Sequence, residues 1–486
     1  MKKIFLLLFI NLVYANNQQY DIYDINGRNT GSFNEKLNKS ILADFVKKNH
    51  GSILVKKGNI YGIKPTNNLD FILSNQSTNK IHLTQDSLFS DTWIEVDKNE
   101  IINICLDSRV YAWETSLNSK VLNDSCCTFQ VPIFTGVESI NVYLPESDNA
   151  HKINLAVGMK YLNFKKEKVL LGFNEHSETD LEILGLLKNE DPERLTSVSG
   201  TYLADKYPVT NCDFTQLMWD DIPKSTSYTN KSIKRVQEGW ISRKNASLQN
   251  KNCIVQDTAA STVYLYQAIK YANARSVREG LKPYYILSES SYGSEQILSE
   301  KEFVICNRDF TEQNFIGEEF ILVSIDEHSD GYRLPYYDEW MMLARGGDKK
   351  NKAPWKKGAT FEDALKYARM TTIRPKNEKE LYLSEPVGQL RPNGYGLYDF
   401  FGLVPEHVLV KKNLFRINRD FPSCQKGGGY RVKSPSDGSS SNFFPDWEDF
   451  NYGHLLPGFS STKAGFRLIR NIGNNAKWTE VKSDKE

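Results

Sequence analysis

The sequence predicts an α+β protein in which a small β-rich, sandwich-like domain precedes a larger domain with little regular structure. Short stretches of alternating apolar and polar residues are frequent up to about residue 165, which is typical of half-buried strands. After residue 168, Gly, Tyr, Trp and Arg gather in short blocks separated by irregular segments. Two amphipathic helices are also predicted in this second part.

The length and charge of the chain limit what it can be. Its 486 residues allow about two to four domains. Lys and Arg total 61 and Asp and Glu total 60, which excludes a polyanion-binding surface spread over the whole protein. We therefore expect no nucleic-acid partner. Seven Cys are too few for a disulfide scaffold, and their odd number leaves at least one thiol without a partner inside the chain.

Residues 1–15 have the pattern of a secretory signal peptide. Two Lys residues precede an apolar run over 4–10, and Val13-Tyr14-Ala15 resembles a cleavage site. The alternative is an N-terminal strand. The apolar run is too short to span a bilayer, and no later run reaches about 18 apolar residues, so we expect no stable membrane insertion. The prediction is an exported protein that is periplasmic, at the cell surface or secreted.

Residues 16–167 are assigned to the N-terminal β-rich domain. Apolar residues alternate with polar ones over 140–144 and 153–157, and the polar stretch between them predicts a hairpin loop. Nothing in this domain points to chemistry, so we expect a spacer or a binding module. Shorter signals are turns at 26–27 and 57–59 and one helix at 41–48 capped by Ser40.

The two helices of the second part have clear ends. One is predicted over 262–278 and ends before Gly280; the other follows Pro335 and ends at Gly346-Gly347. The residues expected on their buried faces are Leu265, Ala268, Ile269 and Ala272 in the first, and Trp340, Leu343 and Ala344 in the second.

Four sequence blocks occur in a fixed order in the second part. The first block is Tyr207-Pro208-Val209-Thr210-Asn211-Cys212-Asp213-Phe214, and the second is Ala268 to Ser276, continuing to Glu279-Gly280-Leu281-Lys282-Pro283-Tyr284-Tyr285. The third is Gly331-Tyr332-Arg333-Leu334-Pro335 with Glu339-Trp340 and Ala344-Arg345-Gly346-Gly347. The fourth starts at Val387-Gly388, runs through Pro392-Asn393-Gly394-Tyr395-Gly396-Leu397-Tyr398-Asp399 to Gly402 and Glu406, and closes with Gly427-Gly428-Gly429-Tyr430 and Gly465-Phe466-Arg467.

In order and spacing these blocks resemble the formylglycine-generating enzyme family, also called the sulfatase-modifying factor domain, over residues 168–472. The resemblance implies a C-type-lectin-like fold with a small antiparallel sheet and two helices. The residues have a physical interpretation of their own: Pro335 pre-sets the first helical turn, and Arg333 and Arg345 bond irregular backbone. Residues 473–486 form a polar tail that we expect to fray.

The resemblance implies oxidation of a substrate cysteine at copper held by two cysteines that follow the glycine-rich block. Soft thiolates are required because they select Cu(I). In this chain residues 427–437 contain no Cys, and Val432 and Asp437 stand about where the pair would be. Cys424 lies before the glycines and is alone. We therefore expect no copper and name no catalytic residue.

A sister branch of the family, similar to the sulfoxide synthases of thiol-histidine biosynthesis, uses non-haem iron and three His. The chain has seven His, and none forms an H-x3-H-x-E cluster. No two His have metal-ligand spacing within one helix. We therefore predict no iron site.

The family also binds structural calcium, in part at a loop that reads G-N-V-W-E-W. Here the loop is Gly402-Leu403-Val404-Pro405-Glu406-His407, which lacks the Asn oxygen. Because Ca²⁺ takes about six to eight oxygens, losing one ligand weakens such a site without abolishing it. The candidate calcium ligands are Gly402, Val404 and Glu406.

Residues 439–452 are rich in aromatic and acidic side chains, and the resemblance places them on the substrate-facing side. Rings supply contact area and carboxylates accept protons from hydroxyl or amine groups, which suits a peptide or a sugar. The alternative is that Phe443, Phe444 and Trp447 belong to the core. The candidate ligand-binding residues are Tyr430, Asp446, Trp447 and Asn451.

The function favoured by these observations is that of an exported, non-catalytic member of the family. It would bind a peptide, protein or glycan at a lectin-like surface. The first alternative is an extracytoplasmic, cofactor-dependent oxidase of thiols, in which Cys424 or Cys212 would have to take part. The second alternative is a structural component of a cell-envelope assembly.

Overall fold

The protein is described by a computed structural model that divides into two compact units. The first unit is Met1–Tyr161 with Ala274–Lys282, and the second is Leu162–Asn273 with Pro283–Glu486. The predicted division at 167/168 stays a prediction. The residues described are 20–23, 29–33, 53–56, 59–61, 79–84, 88, 92–117, 119–123, 125–145, 149–171, 194–218, 257–260, 263–307, 319–347, 354, 361–369, 386–411, 423–426 and 464–480.

The first unit contains a small antiparallel sheet near its beginning. Its strand order is β2-β1-β3-β4. The pairing of Lys56 with Asn59 closes a two-residue hairpin at the predicted turn. The predicted leader and the helix at 41–48 lie outside the described residues. The strands are β1 (Tyr20–Tyr23), β2 (Asn29–Phe33), β3 (Ile53–Lys56) and β4 (Asn59–Tyr61).

Two four-stranded sheets form the main body of the first unit. One has the order β5-β7-β10-β9 and the other the order β6-β12-β11-β8. The strands are β5 (Asn79–Leu83), β6 (Thr92–Val96), β7 (Ile101–Leu106), β8 (Ala112–Thr115), β9 (Ser119–Asn123), β10 (Cys126–Gln130), β11 (Gly136–Tyr143) and β12 (His151–Val157).

The inner faces of these two sheets share one hydrophobic core. Ile104 and Phe129 come from one sheet and Ile140 and Leu155 from the other, and all four are fully buried. The predicted hairpin is confirmed, because β11 and β12 pair antiparallel. The outer strands β5 and β6 pair parallel to their neighbours. The first unit is therefore a β-sandwich.

A disulfide joins Cys105 of β7 to Cys126 of β10, where the two residues lie opposite each other. The next residue, Cys127, points into the core as a buried thiol. Side chains alternate along a strand, so adjacent Cys on β10 face opposite sides of the sheet. The sequence left this connectivity open, since it depends on the register of two strands.

The second unit contains more sheet than expected. Its sheets have the orders β13-β14-β21, β15-β18-β17-β16 and β19-β20. The expectation that the tail frays is wrong as far as residue 480, because β21 pairs with β14 over this length. The strands are β13 (Met159–Leu171), β14 (Arg194–Asp205), β15 (Tyr285–Glu289), β16 (Gln296–Ile297), β17 (Glu302–Asn307), β18 (Glu319–Ile325), β19 (Glu406–Leu409), β20 (Ser423–Lys426) and β21 (Ile469–Glu480).

Both predicted helices are present, and their expected inner residues are buried. Pro335 is not in the first helical turn, because Tyr336 is the N-cap and its N–H donates to the Glu339 carboxylate at 2.8 Å. Among the described residues, no helix is long and apolar enough to cross a bilayer. The helices are α1 (Asn211–Leu217), α2 (Leu265–Arg278), α3 (Tyr337–Arg345) and α4 (Phe361–Leu365).

The end of α3 packs closely against the turn at Asn393 and Gly394. Gly346 has φ +69°, and a side chain on Gly394 would come 2.2 Å from the Gly346 carbonyl oxygen. The Asn393 amide donates to the Leu343 carbonyl at 2.7 Å, which satisfies a helix-terminal acceptor. The described part of the second unit is thus a set of mixed sheets with few helices, tied together by side chains.

Arg333 shows how this tying works. Its guanidinium forms a two-pronged ion pair with Glu339 at 2.6 and 2.7 Å. It also donates to the side-chain oxygen of Asn471 at 3.0 Å. Its Nη1 also donates to the Leu334 carbonyl at 3.3 Å, so the predicted backbone contact is present, although the shorter bonds go to a carboxylate.

We expect the Cys105–Cys126 bridge to stabilise the first unit by about 3 kcal/mol, because closing a loop of this length restricts the unfolded chain. The double variant Cys105→Ser/Cys126→Ser should lower the urea midpoint of that unit accordingly. The matched control is a reductant titration, which should shift the wild type and leave this transition of the variant unchanged. Equal midpoints for the two proteins would contradict the expectation.

Candidate functional site

Three segments of the second unit meet at the buried carboxylate of Glu406. Glu406 begins β19, Trp340 lies in the middle of α3, and Arg467 precedes β21. All three side chains are fully buried. We call these three residues the Glu406 centre.

Both carboxylate oxygens of Glu406 accept strong hydrogen bonds. Arg467 donates from Nη2 to Oε1 at 2.7 Å and from Nε to Oε2 at 2.8 Å. Trp340 Nε1 donates to Oε2 at 2.7 Å. Charge-assisted bonds of this two-pronged kind are among the strongest in proteins. The buried charge of Glu406 is therefore compensated by its neighbours.

Arg467 connects further segments to the same centre. Its Nη2 donates to the Tyr398 carbonyl at 2.9 Å and its Nη1 to the Asp205 carbonyl at 3.4 Å. Its guanidinium carbon lies 3.6 Å from the centroid of the Phe400 ring. One side chain thus joins the end of β14, the turn around 398–400 and β19.

Gly465 brings the Arg467 segment close to β19. Its N–H donates to the Pro405 carbonyl at 2.7 Å, and its carbonyl accepts from the His407 N–H at 2.9 Å. A side chain here would come within 2.7 Å of the Ala260 carbonyl oxygen. This close approach explains why the final sequence block begins with Gly.

Asp399 is a second buried carboxylate near this centre, and the sequence analysis did not single it out. It has φ +58°, and its Oδ2 accepts from the Gly388 N–H at 2.6 Å. Oδ1 has no hydrogen-bond partner in the described structure. Burial raises the pKa of this carboxyl, against the lowering effect of the Gly388 N–H. Its position at the end of the Tyr395–Asp399 turn was the signal available.

The three predicted calcium ligands lie together, but Glu406 is engaged elsewhere. Gly402 and Val404 are buried in the loop that leads to Glu406. A cation bound by this carboxylate would have to compete with Arg467, so the side chain does not fit a calcium ligand in this arrangement. Among the described residues, no group of three or more His, Cys, Asp or Glu is placed to hold a metal. Calcium binding stays a prediction.

The predicted ligand-binding residues lie outside the described part of the chain. They are Tyr430, Asp446, Trp447 and Asn451. The glycine-rich block and residues 439–452 lie outside it as well, so their role stays a prediction.

A partly exposed pair of tyrosines lies near Asp399. The rings of Tyr207 and Tyr398 have centroids 5.0 Å apart, and the ammonium group of Lys206 lies 5.6 Å from each. A side chain on Gly388 would come 2.6 Å from the Tyr207 ring. Rings and a cation at a partly open surface can contact a polar ligand. We call this feature the tyrosine pair.

Two cysteines and one histidine of the second unit have structural surroundings. Cys212 is disulfide-bonded, and Cys306 is a buried thiol. His407 is fully buried with its Nε2 2.7 Å from the Val263 carbonyl, so this nitrogen carries the proton. Burial lowers the pKa of His407 from 6.5 to about 4, against the effect of that bond. His407 is therefore neutral near pH 7.

Comparison with known proteins identifies the family to which this part of the chain is similar. The sulfatase-modifying factor enzyme 1-like domain matches residues 166–472. A protein named chaperone protein LppX, from Paenibacillus barcinonensis, is 29% identical over 191 residues, which are 36% of this chain and 60% of that protein. The chain thus spans about 60% of the length of this curated relative.

Two solved structures align with much of the chain at low identity. Treponema denticola variable protein 1 is 16% identical, with 69% of this chain and 99% of that chain covered and a TM-score of 0.37. PvdO from Pseudomonas aeruginosa is 14% identical, with 65% and 94% covered and a TM-score of 0.34. The domain match covers more than half of the chain, and the chain therefore belongs to the sulfatase-modifying factor family.

Replacing Arg467 should strongly destabilise the second unit. Arg467→Met leaves Glu406 as a buried charge without its cation, which costs about 3–5 kcal/mol. The double variant Glu406→Gln/Arg467→Met should recover part of this loss, because it removes the stranded charge. The free energy of unfolding measured in urea checks both. Arg470→Met, three residues further along, is the matched control, and an equal loss in it would contradict this role.

His407 should make the second unit sensitive to acid. The pKa of His407 is about 4 in the folded protein and 6.5 ordinarily. The stability of the second unit is therefore fully kept above pH 6.5 and falls as the pH drops from 6.5 toward 4, because the unfolded chain takes up a proton that the folded protein does not. His407→Gln keeps an N–H donor for Val263 and should flatten the dependence of unfolding free energy on pH in that window. His328→Gln, at an exposed position, is the control and should leave the slope unchanged.

Proposed function

We propose that this chain is an exported, non-catalytic member of the family that binds a peptide, protein or glycan. The observation that carries the proposal is the absence of Cys from residues 427–437, where the family places its two copper ligands. A site with two thiolates is what selects Cu(I), and the positions concerned hold Val432 and Asp437. Without that pair the reaction of the family has no metal centre.

The described residues support this interpretation over an oxidase. The oxidase alternative needs Cys212 or Cys424, and Cys212 is already disulfide-bonded. Cys424 remains alone in its sequence neighbourhood. At the Glu406 centre every donor and acceptor described is used in holding segments together. The frame of the family is thus kept by residues that need no metal.

The binding surface is proposed on the family domain, which we assign to residues 168–472 with a C-type-lectin-like fold. Tyr430, Asp446, Trp447 and Asn451 are its proposed contacts. The tyrosine pair supports a ligand with polar groups on a flat or extended face, because two rings and an ammonium group share a partly open surface. Calcium, held through Gly402 and Val404 carbonyls, is kept as a proposed structural ion.

Export is supported by two observations. The leader pattern over residues 1–15 is typical of secretion. The Cys105–Cys126 bridge and the bonded state of Cys212 suit an oxidising compartment. The name of the LppX relative describes a chaperone. That name favours a protein or peptide among the proposed ligands.

The purified protein should not convert a sulfatase-type Cys peptide to an aldehyde, with or without added copper. Mass spectrometry and a hydrazide probe report the product. Val432→Cys/Asp437→Cys, which restores two thiols, is the matched variant and should gain Cu(I) in competition with a chromophoric chelator. An aldehyde formed by the unmodified chain would overturn the non-catalytic proposal.

Glycan and peptide arrays, each run with and without EDTA, test the binding half of the proposal. Binding that is lost in Asp446→Ala/Trp447→Ala but kept in Tyr292→Ser supports the surface. Binding that is lost with EDTA and restored by added calcium supports calcium as the structural ion. Equal binding by all variants would contradict the assignment of Asp446 and Trp447 to the binding surface.

A further inference from the structure

The β-sandwich of the first unit has two lateral edges that differ sharply. β8 and β9 are the end strands of their respective sheets. Only three residues join them, so these two ends lie on the same side of the sandwich. β5 and β6 end the same two sheets on the other side. We call the first of these the β8–β9 edge. Strand edges carry backbone donors and acceptors that can pair with another chain unless something blocks them.

The opposite edge is covered by polar and charged groups. On β6, the Trp93 ring stacks on Tyr161 with centroids 5.7 Å apart, and Glu95 forms an ion pair with Lys160. On β5, Lys80 is exposed, and so is His82, two residues further along the strand. Charged side chains and covering rings are the devices that protect sheet edges from added strands.

The β8–β9 edge instead exposes apolar side chains. Val121 is 59% exposed, Leu122 is 51% exposed, and Tyr111, directly before β8, is 82% exposed. Among the residues whose burial is described, the remaining large exposed hydrophobic residue is Tyr292 of the second unit. Apolar surface concentrated at one edge is typical of a contact site.

A β-bulge explains the exposure of two neighbouring aliphatic residues. Val121 pairs with Cys127 and Asn123 pairs with Cys126, which leaves Leu122 as an extra residue on β9. Alternation along a regular strand would place Val121 and Leu122 on opposite faces. The bulge breaks this alternation, and the Cys105–Cys126 bridge holds the neighbouring strand in place. The two side chains are thus presented from a fixed backbone.

β8 is the regular strand of this edge, and among the described strands it pairs on one side only, with β11. It pairs with β11 from Ala112 to Thr115 without a break. Its carboxylate, Glu114, is held by Asn141 and Tyr143 of β11 at 3.1 and 2.8 Å. These two bonds direct the carboxylate toward β11.

We propose that the β8–β9 edge binds an extended segment of a partner protein, which pairs with β8 and packs alternate apolar side chains on Val121 and Leu122. Stacked sheets lie about 10 Å apart, so a strand added beside β8 lies against the outer side of β9. The backbone donors and acceptors of β8 can form hydrogen bonds with another extended backbone. The exposed aliphatic pair requires apolar residues at every second position of that segment.

A second copy of this chain is a less suitable occupant of the β8–β9 edge than a segment of another protein. β8 has four residues, and two such strands paired about a twofold axis bury far less than the roughly 800 Å² per partner of a stable interface. A lipid surface would leave the backbone groups of β8 without partners. The occupant inferred is therefore a segment of another protein, independent of the ligand proposed for the second unit.

Two sets of fluorescein-labelled peptides of identical composition test this inference on the full chain. One set alternates Val, Ile or Leu with Thr or Ser, and the other spaces the same apolar residues every third or fourth position. Fluorescence anisotropy should show alternating peptides binding about ten-fold or more tightly than rearranged ones. Backbone N-methylation of the bound peptides should abolish binding, because it removes their donors.

The double variant Val121→Lys/Leu122→Lys should weaken that binding about ten-fold or more, and Tyr292→Lys, a change of the same kind in the other unit, should leave it unchanged. Circular dichroism and urea midpoints confirm folding. The proposal is overturned if no alternating peptide binds, if both sets bind equally, or if the double variant binds as the wild type does. It is also overturned if sedimentation shows a dimer, or vesicles show lipid binding, that the double variant alone loses.

Discussion

The ion pair between Glu406 and Arg467 is the contact on which the second unit depends. Neither charge reaches water, so each must be compensated by the other and by the Trp340 N–H. These groups belong to α3, β19 and the segment before β21, which are far apart in sequence. Burying the pair without a water shell requires all three segments to close together. The Arg467 bonds to the Tyr398 and Asp205 carbonyls add two further segments to the same point.

Because of this constraint, the residues that hold the fold together are different from those that would carry out the reaction of the family. The Glu406 centre uses a carboxylate, an indole and a guanidinium to hold backbone, and none of them is left to act on a substrate. The positions where the family places its copper ligands belong to a different stretch of the sequence, 427–437, which contains no residue of the Glu406 centre. A chain can therefore keep the frame, replace the thiols and use the surrounding surface for binding. The sandwich of the first unit has its own core and offers a separate contact edge.

The predicted helices of the second unit were correct because a helix is specified by residues three and four positions apart. Trp340, Leu343 and Ala344 mark one face of α3 directly in the sequence. The sheet of β15 to β18 and the strand beyond residue 472 were missed. The partner of β21 is β14, well away in the chain, and a polar strand such as β21 carries no apolar alternation to reveal it. The strands β16, β17 and β18 are neighbours in the chain, and their apolar residues were an available signal. At the Glu406 centre, the sequence identified Glu406 as a calcium ligand, but its cation, Arg467, lies 61 residues away.

Local patterns in the sequence were sufficient for the family, the main helices and the hairpin of β11 and β12. The tertiary structure decided which cysteines pair, which cation compensates Glu406 and which side of the sandwich exposes aliphatic residues. The cysteine pairing and the exposed edge depend on strand register, and the Glu406–Arg467 pair depends on contact between segments that are distant in sequence. Shifting β9 by the single residue of its bulge changes which side Leu122 faces, and no periodicity within Ser119–Asn123 contains that information. The reason is physical: register is set by contacts between distant segments.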